Sequence, residues 1–253
     1  LLAHMRDTGC LACCLQETWR VDPPEVSVND GFAIVQLGAQ ATGGRPSCGL
    51  ALVLSPWALG AWRAADRRVW RVGRRVLAVL LRLSDGCGRP LEVMLVSAYA
   101  PDSSHGDRAL RSFLRDLESV VEAAPAGAVL LVSADTNARL GCGAAPADPV
   151  GRHGLRESNG RGQQWLEWLA RLGLCSPSTF FRHALRSRGT WRHPADRPGR
   201  YPRQVDHWLV RRTDLRRVVD AGTVGGDLLP HSDHRPLRLR LRMARNLRRR
   251  AAT

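Results

Sequence analysis

"AVLLVSADTN" (Ala128–Asn137) is the stretch whose reading decides the fold. Val129–Ser133 is a compact apolar run, of the length and composition expected of a buried strand. Directly behind it stand Asp135 and Asn137. A charged group beside a buried run is costly unless it is paired or bound to a metal. Such an acid is either the start of an Asx turn or a working group, and one instance does not separate the two.

The pattern recurs along the chain. Glu17 follows "CLACCLQ", Tyr99 ends "LEVMLVSAY", Asp206 lies inside "RQVDHWLV", and Asp233 and His234 stand in "LLPHSDHRPLRLRLR" (Leu228–Arg242). Five polar strand ends are much harder to explain as turns than one. In the last stretch Leu237, Leu239 and Leu241 alternate with Arg238, Arg240 and Arg242, which predicts a period-two strand with its leucines facing the core.

Further strands are expected at Leu11–Leu15, Phe32–Leu37, Leu50–Leu54, Val76–Leu83, Leu91–Ala98, Gln204–Val210 and Arg217–Val224. "SDGCGRP" (Ser84–Pro90) separates the fourth and fifth as a turn. A helix is predicted over Arg108–Ala123, where Leu110, Phe113, Leu114, Leu117, Val120 and Val121 form a 3.6-residue stripe behind an Asp107 N-cap. A second is predicted over Gly162–Leu172, and Leu1–Asp7 is also helical in pattern. Arg139–Gly162 and the basic Arg182–Arg203 read as long loops, of the kind that often carry function. Many strands with helices between some of them imply layers of mixed sheet covered by helices. One domain is expected over residues 1–242, with 243–253 as a basic tail or linker.

The chain has 253 residues, 44% of them apolar, and a net charge of +15. All 38 basic residues are arginine against 23 acidic ones. Compositional bias explains Arg over Lys but not the excess, which points to a polyanionic partner such as nucleic acid. No apolar run is long enough to span a membrane, and no signal-peptide pattern is visible. Seven scattered cysteines read as reduced thiols of a nuclear or cytoplasmic, not secreted, protein. The chain opens without Met inside a helical pattern, as a fragment would.

"LQETW", "SAYAP", "SADTN", "QVDH" and "SDHRPL" resemble, in that order, the motif set of the endonuclease/exonuclease/phosphatase superfamily of AP endonucleases and DNase I. The segment Gly151–Phe181 and "GTWRHP" are most similar to the non-LTR retrotransposon endonuclease branch and craniofacial-development-protein-like relatives. The resemblance runs from about Leu11 to Arg242. It implies a four-layered α/β sandwich of two mixed sheets flanked by helices, and hydrolysis of a phosphoester with Mg²⁺, or Mn²⁺ in its place.

By motif position, Glu17 is then expected as the principal metal ligand, with Asp233 a second acid near the metal or water. Asp135 would orient or deprotonate the attacking water, and Asn137 would hold the phosphate or that water. Tyr99 would donate to a phosphate oxygen; its plain alternative is a core tyrosine. Asp206 would fix the tautomer of His234, which faces the scissile phosphate, and Ser232 would be structural. Arg186, Arg188, Trp191 and Arg192 of the basic loop are expected to contact DNA, with the aromatic ring stacking or wedging. Two departures stand out: Ala134 replaces the family's usual Gly, and the family's first strand with its Asn has no counterpart here. The expected activity is a Mg²⁺-dependent endonuclease nicking DNA, with RNA as an alternative partner and a reverse transcriptase domain elsewhere in the full-length chain. The alternatives are a non-catalytic nucleic-acid-binding remnant and a family phosphatase or exonuclease acting on another phosphoester.

Overall fold

The computed structural model describes residues 1–21, 26–39, 48–84, 88–225 and 232–242. The basic tail and Cys87 lie outside them, as do Asp85 and Gly86 of the "SDGCGRP" turn.

A six-stranded mixed sheet is the centre of the molecule, in the order β5-β6-β7-β8-β10-β9. Its strands are β5 (Val69–Val72), β6 (Val76–Ser84), β7 (Pro90–Tyr99), β8 (Val129–Asp135), β10 (Asp206–Arg211) and β9 (Leu174–Cys175). The apolar runs of β6, β7 and β8 are continuous because both faces are covered. β7 and β8 are parallel, joined by the helix α3 (Gly106–Glu122), and the other pairings are antiparallel. A second sheet has the order β1-β4-β3-β2, from β1 (Ala12–Gln16), β2 (Val26–Asn29), β3 (Phe32–Leu37) and β4 (Leu50–Leu54). β11 (Val218–Thr223) and β12 (Leu237–Leu241) form a separate antiparallel pair.

Three apolar clusters define four layers. One lies between α3, α4 (Gly160–Arg171) and the large sheet, and holds Leu110, Phe113, Leu117, Trp165 and Leu169 against Leu80, Val96 and Val132. The second fills the space between the two sheets, with Val35, Leu50 and Leu52 facing Leu77, Leu95 and Leu131. The third is small: α1 (Leu2–Thr8) lays Met5 against Phe32 and Val53 on the outer face of the small sheet. Helix, sheet, sheet, helix is the four-layered sandwich that the resemblance implied, except that the small sheet is antiparallel throughout and only the large one is mixed.

The stripe of α3 is buried as predicted, but Asp107 is not its cap. The N-cap position falls on His105, and Asp107 lies in the first turn, where its charge favours the positive end of the helix. Ser55-Pro56 ends β4, as read, and also starts a helix that periodicity did not show. In α2 (Pro56–Ala64), Ser55 Oγ accepts from the amide of Ala58 and Pro56 occupies the first turn. The predicted Leu–Arg alternation of β12 holds: the leucines are half-buried and the arginines exposed. The long loop after β8 is held by close backbone packing, where a Cβ on Gly154 would lie 1.9 Å from the Gly141 carbonyl oxygen.

Candidate active site

Register alone brings three of the expected residues into one row. Tyr99 pairs with Asp135 across β7 and β8, and Asp135 pairs with Asp206 across β8 and β10. All three therefore sit at the same edge of the large sheet. Their side chains share the face turned to the other sheet, because Leu131 two residue pairs back packs in the inter-sheet cluster.

The small sheet brings Glu17 to the same edge. Gln16, the last residue of β1, crosses between the sheets: its Nε2 donates to Ser97 Oγ at 3.0 Å and to the Ser133 carbonyl oxygen at 3.4 Å. Ser97 Oγ in turn donates to the Leu15 carbonyl oxygen. Sequence reading passed over these polar ties, since single serines in buried strands carry no distinctive pattern. One residue past Gln16, Glu17 Oε1 accepts a short hydrogen bond from the Tyr99 hydroxyl. Gly49 lets the chain close here: its φ is +88°, and a Cβ would stand 2.5 Å from Thr18 Oγ1. Glu17 and Asn137 both have positive φ, 54° and 46°, a strained conformation for residues with a side chain.

Asp135 is buried, and its Oδ1 accepts the Asn137 amide at 2.9 Å. Asn137 directs its own amide group to the Ala100 carbonyl oxygen at 2.8 Å. Burial raises the pKa of the Asp135 carboxyl, and the neighbouring Asp206 charge raises it further. Asp206 holds His234: Nδ1 lies 2.9 Å and 3.1 Å from the two carboxylate oxygens. Burial alone would lower the pKa of that imidazole. The Asp206 charge and hydrogen bond outweigh it, with Asp135 and Asp233 adding to them, and push it up to about 10. Burial would likewise raise Asp206, but His234 and Thr190 prevail and its pKa is lowered. Thr190 Oγ1 accepts the backbone amides of Val205 and Asp206, each at 3.1 Å. Ser232 Oγ caps the other side by accepting the His234 amide.

Asp233 is placed differently from Asp135 and Asp206. Its Oδ2 accepts the indole N–H of Trp191 at 2.8 Å, and its carbonyl accepts the Arg192 amide. Trp191 is bridged to both His234 and Arg203, with the Arg203 guanidinium 4.7 Å above its ring. The ring expected to stack on DNA is thus bound into the site's frame. Arg75, which sequence reading missed, donates to the Tyr99 carbonyl oxygen and lies 5.0 Å from the centre of its ring. Arg186 is exposed, while Arg188 is half-buried and donates to the His183 carbonyl oxygen.

Asp135, Asp206 and His234 each offer an atom within 4.8 Å of the others, a possible metal-ligating group among the described residues. Of the two expected metal ligands, Glu17 borders the group through Tyr99 and Asp233 through its charge on His234; neither belongs to it. The donor set suits a hard divalent cation. Two of its three members are carboxylates, and a cation there would offset the like charge of Asp135 and Asp206.

No family model matches the sequence. Over 157 residues, 62% of this chain, it is 30% identical to craniofacial development protein 2 of Bos taurus, and it spans 26% of that protein's length. Among solved structures, an AP endonuclease from Leishmania major aligns over 94% of this chain and 80% of its own, with a TM-score of 0.67 at 17% identity. The chain has the fold of this AP endonuclease. Two further structures with this fold bear it out. The endonuclease domain of TRAS1, a telomere-specific non-LTR retrotransposon, matches at a TM-score of 0.59 and 18% identity, covering 95% of this chain and 90% of its own. A 3' phosphatase from Neisseria bound to a product DNA hairpin matches at 0.65 and 17%, covering 95% and 92%.

Proposed function

We propose that this chain is a metal-dependent phosphodiesterase that nicks DNA by water attack on a backbone phosphodiester. The observation that carries the reading is the Asp206–His234 pair beside the buried Asp135, at one sheet edge that also receives Tyr99 and Glu17. A structural neighbour with this fold has been solved with a DNA hairpin, and the excess of 15 positive charges suits the same ligand.

Hydrolysis of a phosphodiester builds negative charge on the phosphoryl oxygens and the leaving oxygen. His234 is held by Nδ1, so Nε2 is the nitrogen left to face the phosphate. Kept charged by Asp206, it donates a hydrogen bond there. Asp206 fixes that tautomer and orientation. Asp135, with its pKa raised, is the acceptor for the proton of the attacking water. Asn137, anchored through its backbone and amide, orients that water or a phosphate oxygen. Tyr99 steers the Glu17 carboxylate and offers its hydroxyl to the phosphate when Glu17 is otherwise engaged. Glu17 would be the oxygen donor for a divalent cation, Mg²⁺ by preference and Mn²⁺ in its place, with Asp233 a further acid at its border. When bound, that ion supplies positive charge to the phosphate and lowers the pKa of water. Arg186, Arg188 and Arg192 lie on the loop beside the pair and contact the DNA backbone, where arginine pairs well with phosphate.

The test is conversion of supercoiled plasmid to open circles by the purified protein in Mg²⁺, with EDTA and His234→Ala as controls. Wild type is expected to nick in Mg²⁺ only, and the variant to fall by about a hundredfold or more. Equal nicking by wild type and variant overturns the reading.

A further inference from the structure

Trp191 is not free to enter DNA, because its N–H is given to Asp233 and one face is covered by Arg203. The basic loop carries a different apolar side chain that is free. Leu185 is 68% exposed, the most exposed large apolar residue among those described. It opens a single 3-10 turn, Leu185–Ser187, between the exposed Arg182 and Arg186.

The turn is unusually well fastened for a surface feature. Arg235 Nη1 donates to the Arg186 carbonyl oxygen at 2.9 Å, Thr223 Oγ1 to that of Ser187 at 2.7 Å, and Arg188 Nε to that of His183 at 2.8 Å. Within the turn, the Ser187 amide donates to Ala184 and that of Arg188 to Leu185. Two of the three fastening side chains come from outside the loop. One of them, Arg235, is the residue after His234, and its own amide is tied to the Thr190 carbonyl. The turn is therefore one arginine side chain away from the catalytic pair. Along the chain Arg182, Arg186 and Arg188 flank it, while His183 is paired with Asp220 at 3.1 Å.

An exposed leucine costs little by itself. One held rigidly on a turn, between arginines and next to a phosphodiesterase site, has the form of an apolar wedge. Such wedges enter between base pairs while neighbouring cations hold the phosphates, and the fixed backbone means little entropy is lost on insertion. We infer that Leu185 inserts at a base step of duplex DNA beside the scissile phosphate, with Arg186 on the adjoining backbone. This rests on the DNA-nicking reading and adds to it a preference for duplex over single strand.

The test uses the whole protein and a duplex carrying 2-aminopurine at the step beside the nick, bound in EDTA so that nothing is cut. Wild type is expected to raise the 2-aminopurine fluorescence. Leu185→Ala should bind, by anisotropy, without that rise, and Leu185→Phe should restore it. In Mg²⁺, Leu185→Ala should nick duplex more slowly while its cleavage of the single strand is unchanged. Trp57→Ala, which removes an exposed apolar side chain on α2, should behave as wild type in both assays. If Leu185→Ala keeps both the fluorescence rise and the duplex rate while wild type nicks DNA, the wedge is wrong and the site reading stands. If wild type neither binds nor nicks duplex DNA, both fall together.

Discussion

Asp206→Asn keeps the shape of the side chain and removes the charge that holds His234. In wild type the imidazole is raised from 6.5 to about 10. At about 1.4 kcal/mol per pH unit, that corresponds to a ceiling of about 5 kcal/mol. The His234 side chain is 29% exposed and that of Asp206 18%, so solvent screens part of the attraction. About 3 kcal/mol is the expected loss, at the lower end of what breaking a buried pair costs. In a chain of this size that lowers Tm by roughly 10 °C. The pH window follows from the two shifts. The His234 contribution is fully present below pH 6.5 and is lost as pH rises through about 10. The contribution of Asp206, with its lowered pKa, is present above the ordinary 3.8 and is lost as pH falls through its folded value. The gap between wild type and variant should therefore be widest from about pH 4 to 6.5 and close toward pH 10. Urea unfolding of both proteins in EDTA at several pH values measures the gap, and NMR titration of the His234 ring measures its pKa directly. A ring that titrates near 6.5 in wild type, or a gap that widens toward pH 10, would refute the reasoning.

Three further outcomes are expected. His207 is buried, with Ser176 Oγ on Nδ1 and no partner for Nε2 among the described residues; burial lowers its pKa to about 4. Wild type should lose up to about 3 kcal/mol as pH falls from 6.5 to 4, and His207→Gln should lose less over that range in urea unfolding. Tyr99→Phe removes the hydroxyl that donates to Glu17 and should cost about 2 kcal/mol in the same assay, the range for a hydrogen bond to a charged group. Gly189→Ala would place a Cβ 1.6 Å from the Tyr201 carbonyl oxygen and force the segment carrying Thr190 and Trp191 aside; a loss above about 2 kcal/mol in thermal melts is expected.

The strands were legible wherever burial on both faces left an unbroken apolar run. β3 (Phe32–Leu37) and β4 (Leu50–Leu54) fall where the pattern placed them. β5 (Val69–Val72) was missed, because at an edge its "VWRV" is too short to show a period. α2 was missed because its buried residues, Ala58, Leu59, Ala61 and Trp62, are few and alanine-rich. The site is a matter of distant contacts. Glu17 meets Tyr99 across 82 residues and Asp206 meets His234 across 28, separations that local pattern cannot connect. Only the ordered motif set pointed to them together. That set did not reveal Trp191 as the partner of Asp233, since an indole in a basic loop reads equally well as a DNA contact. The frame behind the site, Gln16, Ser97 and Thr190, was invisible because each is a common residue in ordinary company.

The central claim is hydrolysis of a phosphodiester by water at the Asp135, Asp206 and His234 edge, and isotope transfer tests it most directly. Duplex DNA is cut by the protein in H₂¹⁸O with Mg²⁺, and the new ends are weighed by mass spectrometry. One ¹⁸O in the terminal phosphate of each cut in wild type, with no cutting by His234→Ala, is the predicted result. Cutting that leaves the phosphate unlabelled, or that survives the loss of His234, would contradict it.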